Sequence, residues 1–422
     1  MKIKIFYGWY IVAAGLIMNF YNASLFAYGW SGFVNPIVST FGWTMVQLSL
    51  ASSLRGLETG IFNPLFGWVV DRFSAKKLMI FGILVNAGGI FLLSQTKNLA
   101  MYYIGFLIMG LGSSLAIGIL PTTVIARWFK KDIGKANGIF FMGNGLGGIM
   151  APLVVKVIDS IGWQMTLMYG FIGILVIGLP LALIYRDRPQ DYNLLPDGAT
   201  VPATNGVMSK LPTTEHDSTV KEALRTRAFW HLVGTVLFQN SFLGVITTFS
   251  IPSLTNVGMT RTTAATVTTL FTLVSLFVRL PLGMLADRIR KSYCVAISVG
   301  FQAIGAFCFW LLSGSSPFWM VMLFAINYGI GLSGIMVLRP PILAEYFGTK
   351  NFGTIFALEG IFITLAGIAS QPLAGWVFDT YQSYRPLWLG FAIFGLVALI
   401  VILTIPAPKR TLEQTHKIAS AK

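Results

Sequence analysis

The sequence predicts an all-α integral membrane protein whose twelve transmembrane helices form two pseudo-symmetric six-helix bundles. Its composition, the spacing of its apolar runs and a duplicated motif support this fold class. Hydrophobic residues make up 55% of the 422 residues and charged residues only 11%, whereas soluble domains carry about 25% charged residues. A surface with so little charge is not solvated by water, so the composition predicts a membrane protein.

Apolar runs recur along the chain at lengths that fit membrane spans. A helix needs about 20 apolar residues to cross the hydrocarbon core. The first run begins near Phe6 and leads into further spans, so it is not a cleavable signal peptide. The runs predict twelve spans, centred near Leu16, Gly60, Ile83, Gly112, Leu146, Ile174, Leu243, Val274, Ala303, Ile330, Ala366 and Ile393.

A long polar stretch separates the sixth and seventh spans. It is rich in Arg, Lys, Pro, Thr and Asp, a composition typical of a flexible linker. The sequence therefore predicts an N-terminal six-helix bundle over 1–186, a linker over 187–226 and a C-terminal six-helix bundle with a short tail over 227–422.

One short motif occurs twice, 216 residues apart. The first copy runs from Pro64 to Asp71-Arg72 and the second from Pro281 to Asp287-Arg288, each with basic residues close behind. Halves that repeat in the same order and orientation are typical of transporters that work by alternating access. The repeat therefore favours a transporter.

The basic residues predict the orientation. With the N-terminus in the cytoplasm, 23 of the 30 Lys and Arg residues fall in cytoplasmic segments and four in outer loops. Because cytoplasmic loops carry an excess of Lys and Arg, we expect a multi-pass protein of the cytoplasmic membrane with both termini in the cytoplasm.

Several other classes are excluded by the pattern. The net charge of +15 is dispersed between apolar runs, which is unlike a nucleic-acid-binding face. Cys294 and Cys308 lie about 21 Å apart along one helix, too far to form a disulfide. The sequence contains no nucleotide-binding loop, catalytic constellation or metal-ligand spacing, so it predicts no enzyme, cofactor or metal site, and we expect a monomer.

The loop motif Gly-x-x-x-Asp-Arg after spans 2 and 8 resembles the signature loop of the major facilitator superfamily. Within it, the chain resembles the monocarboxylate porters and the oxalate/formate antiporters. The residues that carry this second resemblance are an aromatic opening, an Asn-Pro pair and an arginine close to a proline: Phe6-Tyr7-Gly8-Trp9-Tyr10, Tyr28-x-Trp30, Asn35-Pro36 and Arg279-Leu280-Pro281.

The resemblance implies a proton-coupled transporter of a small monocarboxylate such as lactate or pyruvate, with lipid, protons and the organic anion as partners. One position departs from it. Eight residues after Asn351, where the oxalate/formate antiporters have a lysine, stands Glu359. An acid there argues against a site with two cations, and so against oxalate.

Arg279 is the leading candidate for binding the carboxylate. It lies about 12 Å along span 8 from Asp287, well inside the membrane, where an arginine costs about 2.5–3.5 kcal/mol unless it pairs or faces water. Its guanidinium offers a carboxylate two parallel hydrogen bonds. The alternative is a structural partner for Glu359.

Two acids are candidates for proton coupling. Glu359 lies in span 11 and either carries a proton or pairs with Arg279. Glu58 follows Arg55 by three residues in span 2, on one helix face. We expect an Arg55–Glu58 ion pair, with proton binding by Glu58 as the alternative.

Other candidates concern the pocket and a cytoplasmic gate. Tyr328 and Phe356 are implied as pocket walls by the resemblance, and the Tyr28 hydroxyl is a further candidate for the substrate. We expect Arg339 to lie at the cytoplasmic gate. The remaining gate candidates are the charged residues of the loop motifs and of the ends of spans 4 and 10: Asp71, Arg72, Asp287, Arg288, Arg127 and Glu345.

Two other functions remain open. The first is a carboxylate anion exchanger of the oxalate/formate antiporter type, which needs no proton. The second is a transporter-like membrane receptor. A receptor that has lost transport is expected to lose the charges inside its spans, whereas this chain keeps Arg279 and Glu359.

Overall fold

The computed structural model describes residues 6–192, 194–198, 218–313, 316–348 and 351–406, except the side chains at positions 59, 60, 63, 64, 71, 198, 335 and 336. In this part of the chain the regular structure is helical. The twelve long helices, α1 to α12, are Gly8–Tyr28, Met45–Arg72, Ala75–Ser94, Leu99–Trp128, Ile133–Ile161, Trp163–Ala182, Arg227–Asn256, Arg261–Arg288, Lys291–Leu311, Phe318–Phe347, Phe352–Tyr381 and Arg385–Leu403.

Eleven of these helices are long and apolar enough to cross a membrane. The exception is α2, which has 28 residues. Its apolar sequence is interrupted by Arg55 and Glu58 near its middle. Its start is well defined, since Thr44 and Gln47 form a capping box that satisfies backbone N–H groups at the helix N-terminus. The all-helical class and the predicted multi-pass membrane architecture are therefore confirmed.

The described residues form two compact units. The first contains the described residues that fall within 1–207, 247–273 and 371–382, and the second those within 208–246, 274–370 and 383–422. This grouping follows contacts rather than chain order. The predicted boundaries at 186 and 227 rest on the sequence repeat and stay a prediction.

In the first unit, α1 packs closely against α5. A side chain added at Gly143 would meet the Leu16 carbonyl oxygen, and one added at Gly147 would meet the Ala23 methyl. Small residues allow helix backbones to approach closely in membranes, where lipid competes for apolar contacts. The glycines of α5 therefore allow α1 and α5 to pack closely together.

The later segments of the first unit are held to its N-terminal helices by polar contacts. The Asp379 carboxylate accepts hydrogen bonds from the backbone N–H groups of Met45 and Val46, both at 2.9 Å. Arg261 forms an ion pair with Asp159. Acid at a helix N-terminus is stabilised by the helix dipole, which explains the place of Asp379 at the start of α2.

In the second unit, α9 packs against α10 and α12 around an aromatic cluster. The Phe309 and Trp388 rings stack with centroids 4.3 Å apart, and Phe309 stacks on Phe324 at the same distance. Phe242 makes edge contact with Tyr328 at 4.9 Å. Aromatic pairs of this kind contribute about 0.5–1.5 kcal/mol beyond their buried area, so this cluster stabilises the unit.

Candidate functional site: charges inside the spans

Glu359 is paired with Arg339 in the second unit. The Arg339 Nε donates a hydrogen bond to Glu359 Oε2 at 2.7 Å, and the glutamate is only 1% exposed. The guanidinium carbon of Arg339 also lies 4.1 Å from the centre of the Phe356 ring. The alternative role of Arg279, as a structural partner for Glu359, does not account for this pair, because Arg339 reaches the acid from α10.

Arg339, Glu359 and Arg279 share one depth. Arg279 lies nine residues before the end of α8, Arg339 lies eight before the end of α10, and Glu359 lies seven after the start of α11. Since consecutive spans alternate in direction, these helix ends lie on one side of the membrane. At about 1.5 Å per residue, each of the three charges lies roughly 10–14 Å along its helix from that end.

Tyr328 and Tyr28 differ in their surroundings. Tyr328 is fully buried between Phe242 and Phe324, in the aromatic cluster. Tyr28 ends a π-helical turn of α1, and its hydroxyl donates to the Asn144 side-chain oxygen at 3.4 Å. The proposed contacts of both hydroxyls with substrate stay predictions.

Glu58 and Arg55 lie on α2 in the first unit, but their side chains point to different partners. The Arg55 guanidinium donates to Ser113 Oγ at 3.4 Å. Neither carboxyl oxygen of Glu58 has a hydrogen-bond partner among the described residues, although Arg55 attracts the group electrostatically. The expected close ion pair is therefore not formed, because Arg55 reaches toward α4 instead.

The gate candidates of the first unit lie at helix ends. Arg127 donates to the Val70 carbonyl at 3.0 Å, near the end of α2. Arg72 is exposed and its guanidinium lies 4.2 Å from the Trp68 ring centre. The side chain of Asp71 lies outside the described residues. The structure thus places Arg127 beside the end of α2, and its gating role stays a prediction.

The gate candidates of the second unit lie at the ends of α8 and α10. Glu345 pairs with Lys291 at 2.6 Å. Asp287 and Arg288, the motif residues, are both exposed. Lys291 follows the motif and begins α9, so the helix start brings its ammonium group to the end of α10.

The aromatic opening of the chain has a structural role that sequence reasoning did not assign. The Tyr7 hydroxyl donates to the Ile184 carbonyl at 2.9 Å, and the Arg186 guanidinium lies 3.9 Å from the Tyr7 ring centre. The Trp9 ring packs on Phe129 at 4.8 Å. These contacts join the start of α1 to the ends of α4 and α6, so this motif holds three helices of the first unit together.

The linker also has an anchor in its described part. Asp197 accepts hydrogen bonds from the backbone N–H groups of Lys130, Lys131 and Asp132, just before α5. Burial of the Asp197 carboxyl works against its ionisation, but these donors and the charge of Lys131 prevail and lower its pKa. Among the described residues, no group of three His, Cys, Asp or Glu side chains is placed to hold a metal ion.

A family comparison accounts for this set of helices and loop motifs. The model of the Major Facilitator Superfamily matches residues 12–257 and 233–420. The chain belongs to the Major Facilitator Superfamily. Its family and fold are those of membrane transporters rather than enzymes. This confirms the predicted fold and the prediction that the protein is a transporter and not an enzyme.

Curated relatives in the superfamily include two carboxylate transporters by name. The oxalate:formate antiporter of Oxalobacter formigenes is 24% identical over 423 residues, covering 97% of this chain and 94% of that protein. Monocarboxylate transporter 2 of Rattus norvegicus is 25% identical over 435 residues, covering 99% of this chain and 86% of that protein. The predicted resemblance to these two families is confirmed, at low identity.

Solved structures support the Major Facilitator Superfamily fold. A bacterial homologue of the human lysosomal transporter Spinster matches with a TM-score of 0.72 and 15% identity, over 94% of this chain and 97% of that chain. The nucleoside transporter NupG matches with a TM-score of 0.73 and 15% identity, over 94% of this chain and all of that chain. At this identity the likeness concerns the fold alone.

Proposed function

We propose that this chain is a secondary transporter that moves a small monocarboxylate across the cytoplasmic membrane by alternating access, coupled to protons. The observation that carries the proposal is the charge balance of the second unit. Away from the helix ends, the described spans of this unit contain two arginines and one glutamate: Arg279, Arg339 and Glu359. With Glu359 ionised, their sum is one positive charge, which a single carboxylate neutralises.

The two arginines lie on different helices of this unit. Arg339 contacts Glu359 and the Phe356 ring. Arg279 lies at the same depth on α8, and its side chain is half-buried. A guanidinium presents two parallel N–H donors that match a carboxylate, and an ammonium does not. We therefore assign the substrate carboxylate to Arg279.

The relatives support the substrate class. One is named for monocarboxylate transport and another for exchange of oxalate and formate. Both names refer to small carboxylates. The antiporter relative also favours a second candidate function, carboxylate exchange without a proton, which uses the same arginine.

The test is uptake of labelled carboxylates by the purified protein in proteoliposomes. A panel of lactate, pyruvate, formate, acetate and oxalate is offered to vesicles that are empty or loaded with the same compound. Under an inward proton gradient, symport predicts accumulation in empty vesicles. Exchange predicts uptake only in loaded vesicles.

The anchor is tested with Arg279→Lys, which keeps the charge and removes the two-donor geometry. We expect uptake to fall at least about 100-fold, as a loss of some 3 kcal/mol from a buried charged pair implies. The matched control is Arg225→Lys, at an exposed arginine in the linker. Unchanged uptake by the Arg279 variant, or equal losses in both, would contradict the assignment.

A further inference from the structure

The Glu58 carboxyl is buried inside the first unit without a hydrogen bond. The residue is 4% exposed, and neither Oε1 nor Oε2 has a partner among the described residues. The Ser114 hydroxyl lies near the carboxyl but outside hydrogen-bonding geometry. A carboxylate anion in this setting loses its hydration and gains no donor in return. The neutral acid is therefore the stable form in this arrangement.

A niche in α4 holds the carboxyl. A methyl group built on Gly110 would overlap Glu58 Oε2, because the carboxyl lies directly against the Gly110 backbone. The Gly110 carbonyl is itself occupied by the Ser113 hydroxyl, which donates to it at 2.9 Å. The niche thus accepts an acid by shape and offers it no strong hydrogen bond.

The backbone of α4 is irregular at this point. A π-helical segment begins at Ser114 and runs to Ile119. Such segments are rare within α-helices and occur frequently at functional sites. The segment begins at Ser114, whose hydroxyl lies near Glu58. Its position therefore favours a functional role for this part of α4.

Charged and titratable groups around Glu58 are few. Arg55, on the same helix, acts on it electrostatically. The helices packed against α2 contribute Tyr102, Tyr103 and Arg127, and Asp379 lies at the start of α2. Each of these groups lies toward one end of α2, as its contacts show.

Tyr103 donates to the Gln47 carbonyl, eleven residues before Glu58, and Tyr102 packs on Trp43. Arg127 donates to the Val70 carbonyl, twelve residues after Glu58. At about 1.5 Å per residue these contacts are 16 Å or more along the helix. Among the described groups, Arg55 is thus the charge that decides the state of the carboxyl.

Arg55 gives the ionised form of Glu58 an alternative position. Side chains three residues apart on a helix lie on one face, with Cβ atoms about 5–6 Å apart. A change of glutamate rotamer is enough to move the carboxylate from the Gly110 niche to the guanidinium. The same two residues therefore support a neutral acid in one position and an ion pair in the other.

We propose that Glu58 is the site that binds and releases the transported proton. This rests on the proposed proton-coupled function and adds the residue that carries the proton. In the step, a Glu58 carboxylate paired with Arg55 accepts one proton from water and leaves the ion pair as a neutral acid in the Gly110 niche. Release returns the proton to water and the carboxylate to Arg55, so no other group changes its charge.

Infrared difference spectroscopy of the purified full-length protein tests this without any substrate. Spectra are recorded between acidic and alkaline buffer, and the C=O stretching band of a protonated carboxylic acid is followed. We expect a band that disappears in alkaline buffer in the native protein and in Glu359→Gln, and is missing in Glu58→Gln. An unchanged band in Glu58→Gln, or its loss in Glu359→Gln instead, would overturn the assignment.

A second variant keeps the test decisive if Glu58→Gln does not fold. Gly110→Ala fills the niche, so we expect the band to be weakened or displaced while the protein retains its helical content. The matched control is Gly88→Ala in α3, where an added methyl meets nothing within 4 Å. Identical bands in both glycine variants and the native protein would contradict a role for the niche.

The outcome is independent of the substrate assignment. If no carboxylate of the panel is transported but the Glu58 band titrates, the proposed substrate class fails and the proton site stands. If carboxylates accumulate under a proton gradient and the band is absent from the native protein, the proton site fails and the transport function stands.

Discussion

The two buried glutamates among the described residues lie in contrasting settings. Glu359 is held by Arg339 from a neighbouring helix at 2.7 Å, whereas Glu58 rests in a glycine niche with no hydrogen bond among the described residues. A hydrogen-bonded ion pair stabilises the charged form of an acid, and an apolar niche stabilises the neutral form. Under our two proposals, Glu359 sets the charge of the substrate site while Glu58 exchanges the proton.

The largest expected effect is on the Glu359–Arg339 pair. Glu359→Gln leaves Arg339 without its counter-charge, and breaking one partner of a buried pair costs about 3–5 kcal/mol. We expect a clear fall in the midpoint of thermal unfolding in detergent. The double variant Arg339→Gln with Glu359→Gln should recover much of this loss. Equal stability of Glu359→Gln and the native protein would show that the acid is not ionised in the fold.

A smaller effect is expected at Phe356, whose ring supports the Arg339 guanidinium. Phe356→Leu removes a cation–π contact that contributes about 0.5–2 kcal/mol. We expect weaker carboxylate uptake together with a modest loss of thermal stability. Phe352→Leu is the control, since Phe352 stacks on Phe356 and, among the described contacts, its ring does not lie over the Arg339 guanidinium. If both variants behave alike, ring stacking rather than the cation–π contact explains the effect.

The smallest effect is expected at Ser113. Its hydroxyl accepts a long hydrogen bond of 3.4 Å from Arg55, so Ser113→Ala should cost less than about 1 kcal/mol. In the infrared experiment the change should shift the balance between the two positions of Glu58 without removing its band. Loss of the band in Ser113→Ala would mean that the hydroxyl, rather than the niche, holds the acid.

Much of the architecture follows from the sequence alone. Apolar runs separated by basic clusters predict the helices, and the duplicated Gly-x-x-x-Asp-Arg motif predicts the superfamily. The depth of Arg279 follows from its distance to Asp287 along one helix. These features are local, so length, hydropathy and helix rise are enough to obtain them.

The partners of the buried charges cannot be predicted from the sequence alone, because they depend on how each helix is rotated about its axis relative to its neighbours. From the sequence, pairing with Glu359 is only the alternative role of Arg279. Arg339 and Glu359 lie at nearly equal distances from helix ends on one side, and that spacing is a usable signal for their pairing. The Gly110 niche had no such signal. A single glycine in an apolar helix is ordinary, and only the contact with Glu58 reveals its role.

The division of roles between the two acids is tested most directly by counting protons in proteoliposomes. Carboxylate uptake and the internal pH are measured together under an inward gradient of one pH unit, which supports about tenfold accumulation if one proton accompanies each carboxylate. We predict that Glu58→Gln loses this accumulation but still lets the carboxylate equilibrate across the membrane. We predict that Glu359→Gln, where it folds, still moves protons together with the carboxylate that it transports. Proton-driven accumulation that survives in Glu58→Gln and is lost in Glu359→Gln would contradict the account.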